Sequence, residues 1–197
     1  MGAVELKLSD PLSNTASGSS VIQNAGSSKS RSSLEQPLHD LGDLDMRITR
    51  DGTWSYRGSP IGRPALVKLF ASVLRREPDG CYWLVTPAER GRIEVEDVPF
   101  LAVALTVTGD GRKQQLIFRT NLDDIVTAGP GHPLRVETAA SGEPAPYILV
   151  RDRLEARIAR SVFYDLVELG REERVEDAAQ FGVWSGGSFF RLGDPAG

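Results

Sequence analysis

One cysteine and two histidines among 197 residues leave little material for thiol, metal or imidazole chemistry. Cys81 stands alone, so no disulfide can form within the chain, and its place in Cys81-Tyr82-Trp83-Leu84-Val85 suits a small buried hydrophobe. His39 and His132 have no neighbours at ligand or triad spacing, so neither a metal site nor a histidine-based catalytic site is expected. The chain also lacks an apolar run of about 18 residues and the ordered segments of a secretory leader, which points to a cytoplasmic protein with no membrane insertion. A formal net charge of -4 supplies no cationic excess for bulk DNA binding. Phosphate-loop motifs are missing too: Gly182 with Gly186-Gly187 is neither a dinucleotide fingerprint nor a loop ending in Gly-Lys-Ser, and a tight hairpin turn accounts for it better. No cofactor is expected.

What is present is ordinary globular material behind a serine-rich leader. Residues 1–40 carry Ser17, Ser19, Ser20, Ser27, Ser28, Ser30, Ser32 and Ser33 with few aliphatics, so they are expected to be disordered. The chain as a whole, 40% hydrophobic and 25% charged, has enough apolar material to bury one good core or two small ones. Asp51-Gly52 predicts a hairpin between Met46-Arg47-Ile48-Thr49 and Trp54-Ser55-Tyr56. Pro64 followed by Leu66, Leu69, Phe70, Val73 and Leu74 predicts an amphipathic helix ending before Pro78-Asp79-Gly80. Strands are expected at 81–86, 92–96, 101–108, 114–119, 134–138 and 147–150. A second helix of about five turns is expected over 153–170 from Leu154, Ile158, Val162, Leu166 and Leu169. Val183-Trp184 and Phe189-Phe190-Arg191-Leu192 would close the chain as short strands. The fold class is therefore α+β: two small lobes of mainly antiparallel sheet, each with one main helix, over 41–98 and 99–197. An echo supports relatedness of the lobes, since Trp54-Ser55 and Trp184-Ser185 both sit between glycines.

Several segments together resemble one family. Asp51-Gly52-Thr53-Trp54, Gly58-Ser59-Pro60-Ile61, Leu84-Val85-Thr86-Pro87-Ala88-Glu89, Val95-Glu96-Asp97-Val98-Pro99-Phe100, Pro146-Tyr147-Ile148-Leu149-Val150-Arg151 and Gly182-Val183-Trp184-Ser185-Gly186-Gly187 look like the bacterial domain-of-unknown-function family twelve-eighty-five. The resemblance covers about residues 45–193. It implies a duplicated α+β core, a C-terminal half superficially like a pleckstrin-homology domain, and a site at the domain interface for a nucleotide-like ligand in a signalling role. It implies no activity.

Candidate site residues follow from charge and aromaticity. Arg153, Arg157 and Arg160 would fall on one stripe of the expected second helix, with Arg151 just before it, and guanidinium forks bind phosphates and carboxylates bidentately. Arg63 and Lys68 border the first helix, with Trp54 and Tyr56 ahead of it as faces on which a base can stack. The leading expectation is a non-enzymatic ligand-binding or signalling module whose inter-lobe site is lined by Trp54, Tyr56, Arg63, Lys68, Arg151, Arg157 and Trp184. Two alternatives stay open: a small-molecule hydrolase using Glu89, Glu96 or Asp97 beside the arginines, and a protein-interaction adaptor. A solvated, salt-bridged face is the plainer explanation of the arginines, and core packing that of the tryptophans.

Overall fold

The computed structural model describes residues 38–139, 142–175 and 178–193. The expected disorder of the serine-rich leader lies outside the described residues, except at its end, where β1 (His39–Ile48) has already begun. The chain reverses through Asp51-Gly52, with Gly52 at φ +82°, into β2 (Trp54–Tyr56) and then β3 (Ser59–Pro60). Helix α1 (Pro64–Ser72) starts on a proline, which fits the first helical position because its missing amide has no partner to lose there. Three strands follow: β4 (Leu74–Arg76), β5 (Tyr82–Val85) and β6 (Glu89–Val95). The sheet order is β3-β2-β1-β6-β5-β4, antiparallel throughout except where β1 runs parallel to β6 at the centre.

The second lobe repeats this rule. Its strands are β7 (Phe100–Thr108), β8 (Gln115–Thr120), β9 (Ile125–Thr127), β10 (Leu134–Thr138), β11 (Pro144–Arg151) and β12 (Leu154–Ile158). They order as β10-β11-β12-β7-β8-β9, with first and last strands again parallel at the centre. Each sheet is thus two three-strand meanders joined along their inner strands, a shared topology that makes the lobes a duplicated pair. The helix differs in place: α1 joins the two meanders of the first sheet, whereas α2 (Arg160–Glu168) follows the last strand of the second. A three-stranded sheet of β13 (Arg171–Val175), β14 (Ala178–Ser185) and β15 (Ser188–Gly193) ends the described chain. No helix among the described residues is long and apolar enough to cross a membrane.

One expectation is overturned here. The span 153–170 is not a five-turn helix; Leu154–Ile158 is strand β12, and the helix starts only at Arg160. Leu154, Ala156 and Ile158 are all buried while Glu155 and Arg157 are less so, which is the two-residue alternation of a strand. Arg153, Arg157 and Arg160 therefore share no helical stripe.

Both lobes feed one apolar core. Ile48, Leu74, Phe100, Phe118, Ile148, Leu154, Leu166 and Val183 are buried in a single contiguous cluster, into which α1 contributes Val67 and Ala71. Leu69, assigned to the buried stripe from its spacing, is instead 60% exposed. A minor cluster of Val98, Ala145 and Tyr147 lies apart from it.

Candidate functional site

The seam between the lobes holds the first group of charged side chains. The turn after β8 is wound tightly: the Thr120 hydroxyl accepts the amides of Leu122 and Asp124 at 3.2 and 3.1 Å, and Asp123 takes a positive φ of 68°. This geometry presents two successive carboxylates to the neighbouring elements. Asp123 receives the ammonium of Lys68 from α1 at 2.6 Å, and Asp124 receives the guanidinium of Arg151 from the end of β11 at 3.1 Å. Hydrogen bonding to Lys68 holds the Asp123 carboxyl below its ordinary range. Arg151 also donates to the Ala71 carbonyl in α1 at 2.8 Å and lies 4.9 Å from the Phe100 ring centre. A bulge between Leu149 and Arg151 turns the end of β11, and a bulge of this kind re-aims a side chain. Lys68, Ala71, Ser72, Leu122, Asp124 and Arg151 line a cleft of about 280 Å³.

A second group lies on the opposite side of the second sheet. Arg135, Tyr147 and Arg157 form one rung across β10, β11 and β12. Both guanidinium groups approach the Tyr147 ring, at 4.3 and 5.9 Å from its centre. Arg157 donates to Asp97 at 2.7 Å, and the Tyr147 hydroxyl donates to the same carboxylate. Arg135 is clasped by Glu155 through Nε at 2.7 Å and Nη2 at 2.8 Å, and also pairs with Glu137. Burial, then the bond to Asp97, raises the Tyr147 phenol above its ordinary range, so it keeps its proton and acts as a donor near neutrality. Arg157 also lines a separate cleft of about 230 Å³ beside α2.

Of the seven site residues expected from sequence, only Lys68 and Arg151 meet. Arg157 belongs to the other cleft. Trp54 is 3% exposed and stacks on Phe70 at 6.4 Å, its indole N–H buried with no acceptor among the described residues. Tyr56 is 45% exposed, with Arg57 over its ring. Arg63 is the exposed residue preceding α1. Trp184 packs on Phe189, donates Nε1–H to Glu173 at 3.0 Å and carries Arg112 over its ring, contacts unrelated to those of Trp54.

The tryptophan-serine echo is therefore not a pair of facing walls. Ser185 is fully buried and bridges elements, donating to the Ala128 carbonyl at 2.7 Å and accepting the Leu116 amide at 2.9 Å. Ser55 only reaches the Arg47 carbonyl of the adjacent strand. The expected tight turn at Gly186-Gly187 is present, with φ of +54° and +75° and Ser185 opposite Ser188.

The three carboxylates considered for acid-base work have different surroundings. Glu96 pairs with Arg47 at 2.8 Å and accepts the Arg50 amide, Asp97 serves Tyr147 and Arg157, and Glu89 is exposed at the start of β6. No group of three or more His, Cys, Asp or Glu among the described residues is placed to hold a metal ion. Arg135 is missed from sequence; Asp123-Asp124 reads there as a carboxylate pair able to share a proton or hold a divalent cation, and what the fold adds is its pairing with Lys68 and Arg151.

Known proteins bear on the same two lobes. The N-terminal domain model of a family described as a domain of unknown function (DUF1285) matches residues 36–98, and the C-terminal domain model of that family matches residues 99–192. A solved DUF1285 family protein from Silicibacter pomeroyi DSS-3 is similar at 52% identity and a TM-score of 0.73, over 79% of this chain and 82% of that one. Another from Shewanella baltica OS155 has 25% identity and a TM-score of 0.49, over 64% of this chain and 91% of that one. No curated protein matches. With both halves matched in order, and a solved relative sharing half its residues, the chain belongs to the DUF1285 family.

Proposed function

We propose that the protein is a ligand-binding, signalling-type module that takes a nucleotide-like or other small anionic ligand at the seam between its lobes. One observation carries this: Lys68 of the first lobe and Arg151 of the second line the same cleft, each held by one of two adjacent aspartates. Ion pairs this exposed are screened by solvent and contribute little, so an incoming phosphate can exchange for a carboxylate at small cost. The aspartates keep both cations extended toward the cleft until that exchange, and Arg151 retains its bond to Ala71 to register the ligand against α1. A bound anion thereby ties α1 to the second sheet, which is the kind of inter-lobe link a signalling module needs. The likeness of the second lobe to a pleckstrin-homology domain and a cytoplasmic setting belong to the same proposal. Its support is an open, mainly antiparallel sheet with one helix following its last strand.

The test is a thermal-shift panel of nucleotides, cyclic dinucleotides and inositol phosphates, followed by calorimetry. A ligand that stabilises the protein should bind Lys68→Ala and Arg151→Ala about tenfold or more weakly, the loss expected for one charge-assisted bond. An anion that binds both variants as well as wild type would remove the seam as its site. A panel with no stabilising anion would favour the adaptor alternative.

A further inference from the structure

The cleft beside α2 arises from a proline. Strands β11 and β12 pair through Tyr147↔Arg157, and the next rung would place Pro146 opposite Ile158. The Leu149 amide bonds to Pro133, so alternate residues 149, 147 and 145 turn their backbone groups toward β10, and Pro146 faces β12. It has no amide to donate, and the ladder stops there. The strands separate around a space of about 230 Å³ floored by Pro146, Ile158 and Phe163, all buried. That is below the range of roughly 300–1,000 Å³ that drug-sized ligands fill, so the space suits a small molecule.

The rim is charged and asymmetric. Arg157 is held from behind, its Nη1 on Asp97 and its guanidinium 5.9 Å from the Tyr147 ring centre, so its position is set before any ligand arrives. Arg160, in the first turn of α2, donates Nε–H to the Tyr164 hydroxyl at 2.7 Å and forms no ion pair within 4.0 Å among the described residues. Helix α2 has nine residues and no side-chain cap at Ala159, so its amide end adds positive potential to the same rim. Glu143 is the one acid lining the cleft, and its charge acts on Arg160.

We propose that this cleft is a second binding site, selective for a small monocarboxylate with a compact apolar or aromatic body. A planar carboxylate matches the guanidinium forks of Arg157 and Arg160, while its apolar body takes the floor. Glu143 disfavours a phosphate dianion more than a monoanion, which sets the charge preference. The seam cleft shares none of these lining residues, so the two sites are separable.

The experiment is calorimetry on the full chain with benzoate as the probe, and benzyl alcohol and phenyl phosphate as comparison arms. Saturable benzoate binding is expected, with at least tenfold weaker binding by phenyl phosphate and none by benzyl alcohol. Arg160→Gln, at an exposed position, should weaken benzoate about tenfold with an unchanged melting temperature, and Lys68→Ala should leave it unchanged. Arg157→Gln should weaken it similarly, its folded state checked by circular dichroism. The proposal is overturned if benzoate does not saturate, if phenyl phosphate binds as well or better, or if Arg160→Gln binds like wild type.

Discussion

The hydroxyl of Tyr147 donates to Asp97 across fifty residues of sequence, 3.0 Å from Oδ1 and 3.3 Å from Oδ2. Asp97 lies between the last strand of the first sheet and the first strand of the second, so this bond fixes the linker onto β11, one strand in from the edge of the second sheet. Arg157 shares the carboxylate, and the two arginines of the rung enclose the ring. Such a network resists piecemeal loss, because deleting one member leaves a half-buried charge with fewer partners.

Tyr147→Phe should therefore cost about 1.5–3 kcal/mol, the range for a hydrogen bond to a charged group. Its pH dependence is the sharper test. The folded phenol titrates above its unfolded value of 10.0, so its contribution is complete below the unfolded value and is lost as pH rises through the folded one. The stability gap between wild type and Tyr147→Phe should be constant from about pH 7 to 9 and shrink above about pH 10. Tyr82 is raised too, mainly by burial, but it is common to both proteins and cancels from the difference. A gap that stays constant to about pH 11.5 in urea titrations would show that the hydroxyl does not couple to Asp97.

Leucines on the two helices should part company. Leu166 is fully buried, and Leu166→Ala should destabilise by about 2–5 kcal/mol through lost burial and a cavity. Leu69 is 60% exposed, and Leu69→Ala should change stability by less than about 0.5 kcal/mol. Denaturant melts of both variants read this directly, and equal losses would mean that α1 is rotated from the face described.

Gly52 should be intolerant for two separable reasons. Its φ of +82° strains any side chain, and an added Cβ would lie 2.6 Å from Nδ2 of Asn121, the residue whose Oδ1 accepts the Leu101 amide at 3.0 Å. Gly187 has a similar φ of +75° with open space around it. Gly187→Ala should thus cost about 1 kcal/mol from backbone strain alone, and Gly52→Ala visibly more. Equal costs would show that Asn121, whose Nδ2 donates to the Gly52 carbonyl at 3.4 Å, yields freely and does not clasp the first lobe to the second.

The parts of this structure that were legible in the sequence are those with one dominant local signal. Asp51-Gly52 and Gly186-Gly187 marked hairpins because both demand positive φ, and Pro64 marked a helix start. Strand β12 was illegible for a specific reason: Leu154 and Ile158 are four apart, which is close to one helical turn and also two strand repeats. Ala156 was the tell, since a buried residue midway between them fits only the strand. Strand β13 was hidden by Arg171, Glu172, Glu173 and Arg174, which offer no apolar alternation, and it lies at a sheet edge where none is required. The parallel central pairs escaped altogether, because each joins the first and last strands of a lobe and no local pattern encodes so distant a contact. Among site residues, Lys68 and Arg151 were found by charge, but their meeting depends on Asp123 and Asp124, whose role only the fold reveals.

The tryptophan-serine echo yields the last prediction, because the two serines occupy opposite environments. Ser185 is fully buried, and its hydroxyl satisfies the Ala128 carbonyl of the β9 edge and the Leu116 amide of β8 while sitting on β14. It thereby joins the three-stranded sheet to the second lobe. Alanine there would leave a donor and an acceptor without partners in a dry setting, a penalty of about 1–3 kcal/mol for each group not rescued by water. Ser55 has a single 3.3 Å bond to Arg47 on the neighbouring strand, in a setting where water can replace it. Ser55→Ala should fall within about 0.5 kcal/mol of wild type, and Ser185→Ala should cost at least about 2 kcal/mol. Amide exchange separates this from a general loss of packing: in Ser185→Ala the Leu116 amide should lose protection beyond the global change. If Leu116 exchanges at the rate that global stability alone dictates, the hydroxyl is not what holds the third sheet in place.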